Sequence, residues 1–131
     1  MPQKPESRFK ERVARDLKAL APKLWFVKIQ QVSIRGIPDF LINANGRFLA
    51  LELKSNPKSP VSPLQEWTLK EIARTNGIAL ITFPSNWSDT YALIQEMVSE
   101  PDEGEEFDLN EDPDSRIVEI DWDRVSKKVR N

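Results

Sequence analysis

The dipeptide Asn45-Gly46 constrains this chain more than any other two residues. Both residue types accept the positive φ angles that a two-residue hairpin turn demands, and here they separate two apolar runs, Phe40-Leu-Ile42 and Phe48-Leu-Ala-Leu51. If the loop is two residues long, Ala44 faces Arg47, and the same register sets Asp39 directly opposite Glu52. Directly opposed residues of a strand pair have Cβ atoms about 4.5–5.5 Å apart, so two carboxylates there repel unless positive charge lies between them. A divalent cation would supply that charge. Lys54, two residues beyond Glu52, projects from the same face of the strand and brings an amine to the pair.

Glu-x-Lys alone commonly marks the solvent face of an amphipathic strand. Here Phe48 to Leu51 and Leu53 form a nearly continuous apolar run, the pattern of a strand covered on both faces. Ionised groups in such a strand are costly unless they are paired or bound to metal. The chain has no cysteine and no histidine, which excludes disulfides, zinc-finger frameworks, histidine-metal nuclease motifs and histidine-based triads. A carboxylate site without nitrogen or thiolate ligands suits a hard ion, Mg²⁺ or Mn²⁺, with waters and a substrate phosphate completing the octahedron.

At these residues the chain resembles a known family. Pro38-Asp39 followed by Glu52-Leu-Lys54 is the signature of the PD-(D/E)XK nuclease superfamily. With Gly36-Ile-Pro-Asp39, Asn45-Gly-Arg-Phe48 and Ser62-Pro-Leu-Gln65, the pattern is similar to the virus-type replication-repair nuclease branch, VRR-NUC, over about Glu6 to Phe83. The resemblance implies a Mg²⁺- or Mn²⁺-dependent endonuclease that hydrolyses DNA phosphodiester bonds in replication, recombination or repair. It implies that Asp39 and Glu52 hold the ion with the carbonyl of Leu53, and that Glu6 ligates it through water or binds a second ion. Lys54 then positions or deprotonates the attacking water, or clamps the phosphate, and these roles stay open. Single-domain members of the branch include structure-specific enzymes, some dimeric, so the implied substrate is a four-way junction, flap or nick and the chain is expected as a homodimer.

Two of these residues carry a second reading. Phe9, Val13, Leu17 and Leu20 form one helical stripe, and Glu6 projects close to its middle, whereas Glu11 points about 140° away from Glu6, toward solvent. Glu6 is therefore expected to face the sheet, or else to be a first-turn acid favoured by the helix dipole, with Pro5 as the start signal. Ser62-Pro63-Leu64-Gln65 reads as a capping box, with Ser62 as N-cap and Gln65 at N3. Gln65 also shares a face with Leu69 and Ile72 and matches the glutamine of the family's Pro-Leu-Gln motif, an active-site orienting residue.

The spacing predicts a helix over Glu6 to Ala21, a strand over Leu24 to Gln31, the hairpin over Pro38 to Lys54, a helix from Pro63 to Asn76 stopped at Gly77, a strand over Ile78 to Phe83 and a helix over Asn86 to Val98. The hairpin-helix-strand stretch has the length of a right-handed crossover, so the last strand should pair parallel to the Glu52 strand. The expected class is α/β: a small mixed sheet flanked by helices, the restriction-endonuclease-like αβββαβ core, with an acidic C-terminal extension.

Charge divides the chain. Residues 1–99 hold 14 Lys+Arg and 9 Asp+Glu, net +5, and the remainder holds 5 and 12, net −7. The first part is expected as the nuclease domain; 100–116 reads as an acidic flexible linker, and 117–131 as a short docking element with an edge strand and helix, or an autoinhibitory tail. Lys28, Gln30, Gln31, Ser33 and Arg35 lead into Asp39, and Lys58 follows the site, all positioned to touch DNA. Trp67, opposite Leu69 and Ile72, is either an interface residue or packs under the Pro-rich loop. No apolar run approaches the ~20 residues of a membrane span and no signal-peptide core is seen, so a cytoplasmic location is expected. A binding module without turnover and an interaction protein acting through its acidic tail are the other classes compatible with this sequence.

Overall fold

The computed structural model describes residues 5–30 and 35–99. Gln31, Ser33, the acidic linker and the C-terminal docking element lie outside the described residues. The element order is α1 (Pro5–Lys18), β1 (Leu24–Lys28), β2 (Phe40–Ala44), β3 (Arg47–Leu53), α2 (Pro63–Arg74), β4 (Ile78–Thr82) and α3 (Trp87–Ser99). It is the order expected, the αβββαβ core followed by the predicted last helix. The four strands form one mixed sheet in the order β1-β2-β3-β4. β1, β2 and β3 pair antiparallel, and β4 lies parallel to β3 after the α2 crossover. None of the described helices is long and apolar enough to cross a membrane.

The turn fixes the register as the sequence predicts. Asn45 and Gly46 take φ angles of 52° and 96°, and Ala44 pairs with Arg47 and Phe40 with Leu51. Asn43 Oδ1 accepts from Gly46 N at 2.8 Å, closing the turn. Several predicted elements end earlier than expected, α1 and β1 by the most. Before Pro22, which has no N–H, α1 gives way to a tighter turn in which Leu20 N and Ala21 N bond carbonyls three residues back. β1 stops at Lys28 rather than Gln31.

Side-chain alternation along the strands gives the sheet two different faces. One carries Leu24, Phe40, Ile42, Leu49 and Leu51, which pack with Phe9, Val13 and Leu17 of α1 and Trp87, Ile94, Met97 and Val98 of α3 into the core. Trp87 joins the two helices: its ring meets Phe9 edge-on at 6.3 Å and its Nε1 donates to Asp16 Oδ2 at 2.8 Å, while Tyr91 Oη donates to Asp16 O. The opposite face carries Phe48, Ala50 and Glu52 on β3. α2 packs against β4. Gly77 follows α2 so closely that a Cβ there would meet Ile72 Cγ2 at 2.8 Å and Phe48 Cδ1 at 3.0 Å, which puts the end of α2 on the Phe48 face. The left-handed residue that ends α2 is Asn76, at φ 71°, one position earlier than the predicted stop.

Gly36 docks the loop that leads to Asp39. Its φ is 84°, a conformation that side-chain-bearing residues rarely adopt, and a Cβ would lie 2.8 Å from Leu64 Cγ and 3.1 Å from Leu64 O. Gly36→Ala therefore incurs both backbone strain and a clash with the first turn of α2. We expect a loss of about 2–4 kcal/mol, read as a lower urea midpoint at unchanged m-value; an unchanged midpoint would mean that Leu64 does not press on this loop.

Candidate active site

Asp39 stands one residue before β2, where the β1 pairing continues through Ile29 N donating to Asp39 O at 2.8 Å. Its side chain substitutes for the backbone ladder, because Oδ2 accepts the N–H of Leu53 at 2.8 Å. The reason lies in the register. Lys54 N donates to Thr82 O of β4 at 2.9 Å, so Leu53, its neighbour, turns its N–H and C=O the other way, toward β2. There the continued register offers Pro38, which has no N–H. The Leu53 carbonyl thus faces the same side as Asp39 without a backbone donor from that position.

Glu52 is the buried acid of the sheet, 4% exposed, and its Oε2 has no hydrogen-bond partner among the described residues. Its pKa is pushed up from 4.5 to about 8, first by burial, then by the hydrogen bond to Asp39 and the Asp39 charge, against the opposing pull of Lys54 and Lys10. Lys54 Nζ donates to Gln65 Oε1 at 3.0 Å. The same oxygen accepts from Ser62 N at 3.1 Å, and Gln65 N donates to Ser62 Oγ at 3.1 Å. Gln65 thus closes the capping box of α2, as predicted, and with the same oxygen accepts from Lys54.

Lys10 is the residue that sequence reasoning missed. Its Nζ lies 3.2 Å from Asp39 Oδ1 and donates to Ile29 O at 3.3 Å. The signal was available, since Lys10 follows Glu6 by one helical turn and so shares its face. Glu6, Lys10, Asp39, Leu53 and Lys54 line a cleft of about 510 Å³ with Ser55 and Ser59 of the following loop. Glu6 is on the cleft side of α1 but exposed rather than packed on the sheet, because its position in the first turn is at the rim. Among the described residues no three acids come together as a metal-holding group, so Glu6 stands apart from the Asp39–Glu52 pair. Glu11 is exposed.

The residues proposed to touch DNA are less concentrated. Gln30, Arg35 and Lys58 are exposed and Lys28 is half-buried, but none of them lines the cleft. Trp67 is 61% exposed, so it is not packed under the Pro-rich loop. Two carboxylates, one with an unpartnered buried oxygen, and a backbone carbonyl form an all-oxygen donor set, which fits Mg²⁺ or Mn²⁺.

The raised Glu52 pKa makes stability depend on pH. Between 4.5 and about 8 the unfolded chain has released this proton and the folded one retains it, so raising the pH across that window favours unfolding. In metal-free buffer we expect this group to lower stability progressively as the pH rises through that window, a decline absent in Glu52→Gln. Parallel pH–stability curves for the two proteins would contradict the assignment.

No family model matches the chain. No curated protein matches it. Among solved structures it is similar to Hjc, a Holliday junction resolvase from the archaeal hyperthermophile Archaeoglobus fulgidus, with 21% identity over 59% of this chain and 67% of that one and a TM-score of 0.43.

Proposed function

We propose that this chain is a divalent-metal-dependent endodeoxyribonuclease of the PD-(D/E)XK type. The observation that carries this reading is the Glu52 carboxyl, buried opposite Asp39 with one oxygen unpartnered. A fold that spends stability on two adjacent acids and leaves a buried acceptor unsatisfied needs a compensating ligand, and a cation is the ligand that two acids call for. Asp39, Glu52 and the Leu53 carbonyl would hold Mg²⁺ or Mn²⁺, with Glu6 acting through water or at a second ion. When bound, such an ion lowers the pKa of a coordinated water and offsets charge gathering on the phosphate.

The chain's own side chains do the rest. Gln65 holds the Lys54 ammonium by one hydrogen bond and so sets its direction into the cleft. From there Lys54 orients the attacking water and neutralises phosphate charge, or takes the water's proton. The Asp39–Leu53 hydrogen bond fixes the carboxylate against the backbone, so the acid does not have to be ordered when substrate arrives.

DNA is the partner this reading requires, and the net +5 of residues 1–99 suits a phosphate backbone. The VRR-NUC resemblance directs the substrate toward branched or nicked DNA. Symmetric cleavage of a four-way junction needs two sites, for which a homodimer is the simplest supply, and the exposed Trp67 is a candidate contact.

Cleavage of supercoiled plasmid, linear duplex and a synthetic four-way junction in Mg²⁺, Mn²⁺ or EDTA tests the proposal. Lys54→Ala should lower the metal-dependent rate by about 10³-fold while the far-ultraviolet circular dichroism stays unchanged. Lys54→Arg separates the two roles: residual cleavage supports the clamp, and complete loss supports the base. DNA bound but uncut under every metal would leave a binding module instead.

A further inference from the structure

We propose that Lys10 is an exchangeable counter-ion that neutralises Asp39 in the metal-free protein and yields Asp39 Oδ1 to the divalent ion. The inference rests on the nuclease reading and concerns how the site survives without its metal. Asp39, a carboxylate beside a second, buried acid, calls for a counter-charge whether or not an ion is bound. Lys54, the expected source of that charge, gives its ammonium a hydrogen bond to Gln65. The ammonium in ion-pair contact with Asp39 is that of Lys10, at 3.2 Å.

The two oxygens of Asp39 are held in unlike ways. Oδ2 accepts a backbone N–H at 2.8 Å and is fixed by the sheet. Oδ1 meets an ammonium at the end of a flexible four-carbon stem, at a distance longer than the 2.7–2.9 Å typical of strong charge-assisted bonds. Oδ1 is thus the oxygen free to change partners. Both side chains of the pair are partly exposed, so water already competes for it and displacement requires no opening of the core. A released ammonium retains the Ile29 carbonyl, and Glu6, one turn back and on the wall of the same cleft, is an acceptor of the right charge.

The test is calorimetric titration of Mn²⁺ into the full chain without DNA, at one alkaline pH, for the wild type, Lys10→Met and Lys10→Arg. Lys10→Met retains the stem and removes the competing charge, so it should bind Mn²⁺ roughly tenfold more tightly. Lys10→Arg should stay near the wild type. Thermal melts without metal check folding, and Mn²⁺ should raise the melting temperature of Lys10→Met more than that of the wild type. If Lys10→Met does not fold, Lys10→Gln carries the same expectation. Equal or weaker Mn²⁺ binding by the uncharged variants, with a wild type that binds, overturns the counter-ion role alone. Absence of Mn²⁺ binding in every protein overturns the nuclease reading with it.

Discussion

The register of one hairpin governs both the core and the site. With Ala44 opposite Arg47, Phe40, Ile42, Leu49 and Leu51 face α1 and α3, and Asp39 and Glu52 come out on the other face together. A slip of one residue in either strand would turn its whole apolar set outward, so core burial resists the same error that would separate the two acids. The turn is tied down from outside as well, since Asn45 Nδ2 donates to the Val98 carbonyl near the end of α3. The acids sit at the opposite end of the strands from that anchor. Their juxtaposition follows from hydrophobic burial, at no extra cost in specificity.

Three polar side chains then make the pair tolerable. Asp39 takes the place of a backbone acceptor for the Leu53 N–H, which converts an acid into part of the ladder. Lys10 reaches across from α1 to balance it. Gln65, bound into the cap of α2, turns Lys54 away from simple pairing with the acids and holds it beside them. Each acid and each amine thus answers to a different secondary-structure element, and only the assembled sheet with both helices brings them within reach. Glu52 Oε2 is left over from this accounting.

What was legible in the sequence was whatever depended on near neighbours. The Asn45-Gly46 turn, the Asp39–Glu52 opposition, the Ser62–Gln65 capping box and the parallel β3–β4 pairing all follow from spacing along the chain, and all are present. What depended on packing between distant elements was not. Lys10 could be placed on the Glu6 face of α1, but its meeting with Asp39 required knowing how α1 lies across the sheet end. The need for glycine at 36 comes from Leu64 of α2, far along the sequence. Glu6 is expected to face the sheet from the spacing of α1, yet the helix begins at the rim of the cleft, and there Glu6 is exposed.

α2 buries none of its residues fully, whereas β2 and β3 are held by a continuous core and α3 seats Trp87 and Ile94. The element that positions the amine is therefore the one that the core holds most weakly. Local opening draws first on segments with few buried apolar contacts, so α2 can lift from β4 while the hairpin and its two acids stay folded. Departure of α2 would remove the Gln65 oxygen from Lys54 and leave the acids in place. The acids and the group that orients the amine thus belong to separate elements, and the free energy of seating α2 sets how much of the time Lys54 is held in place.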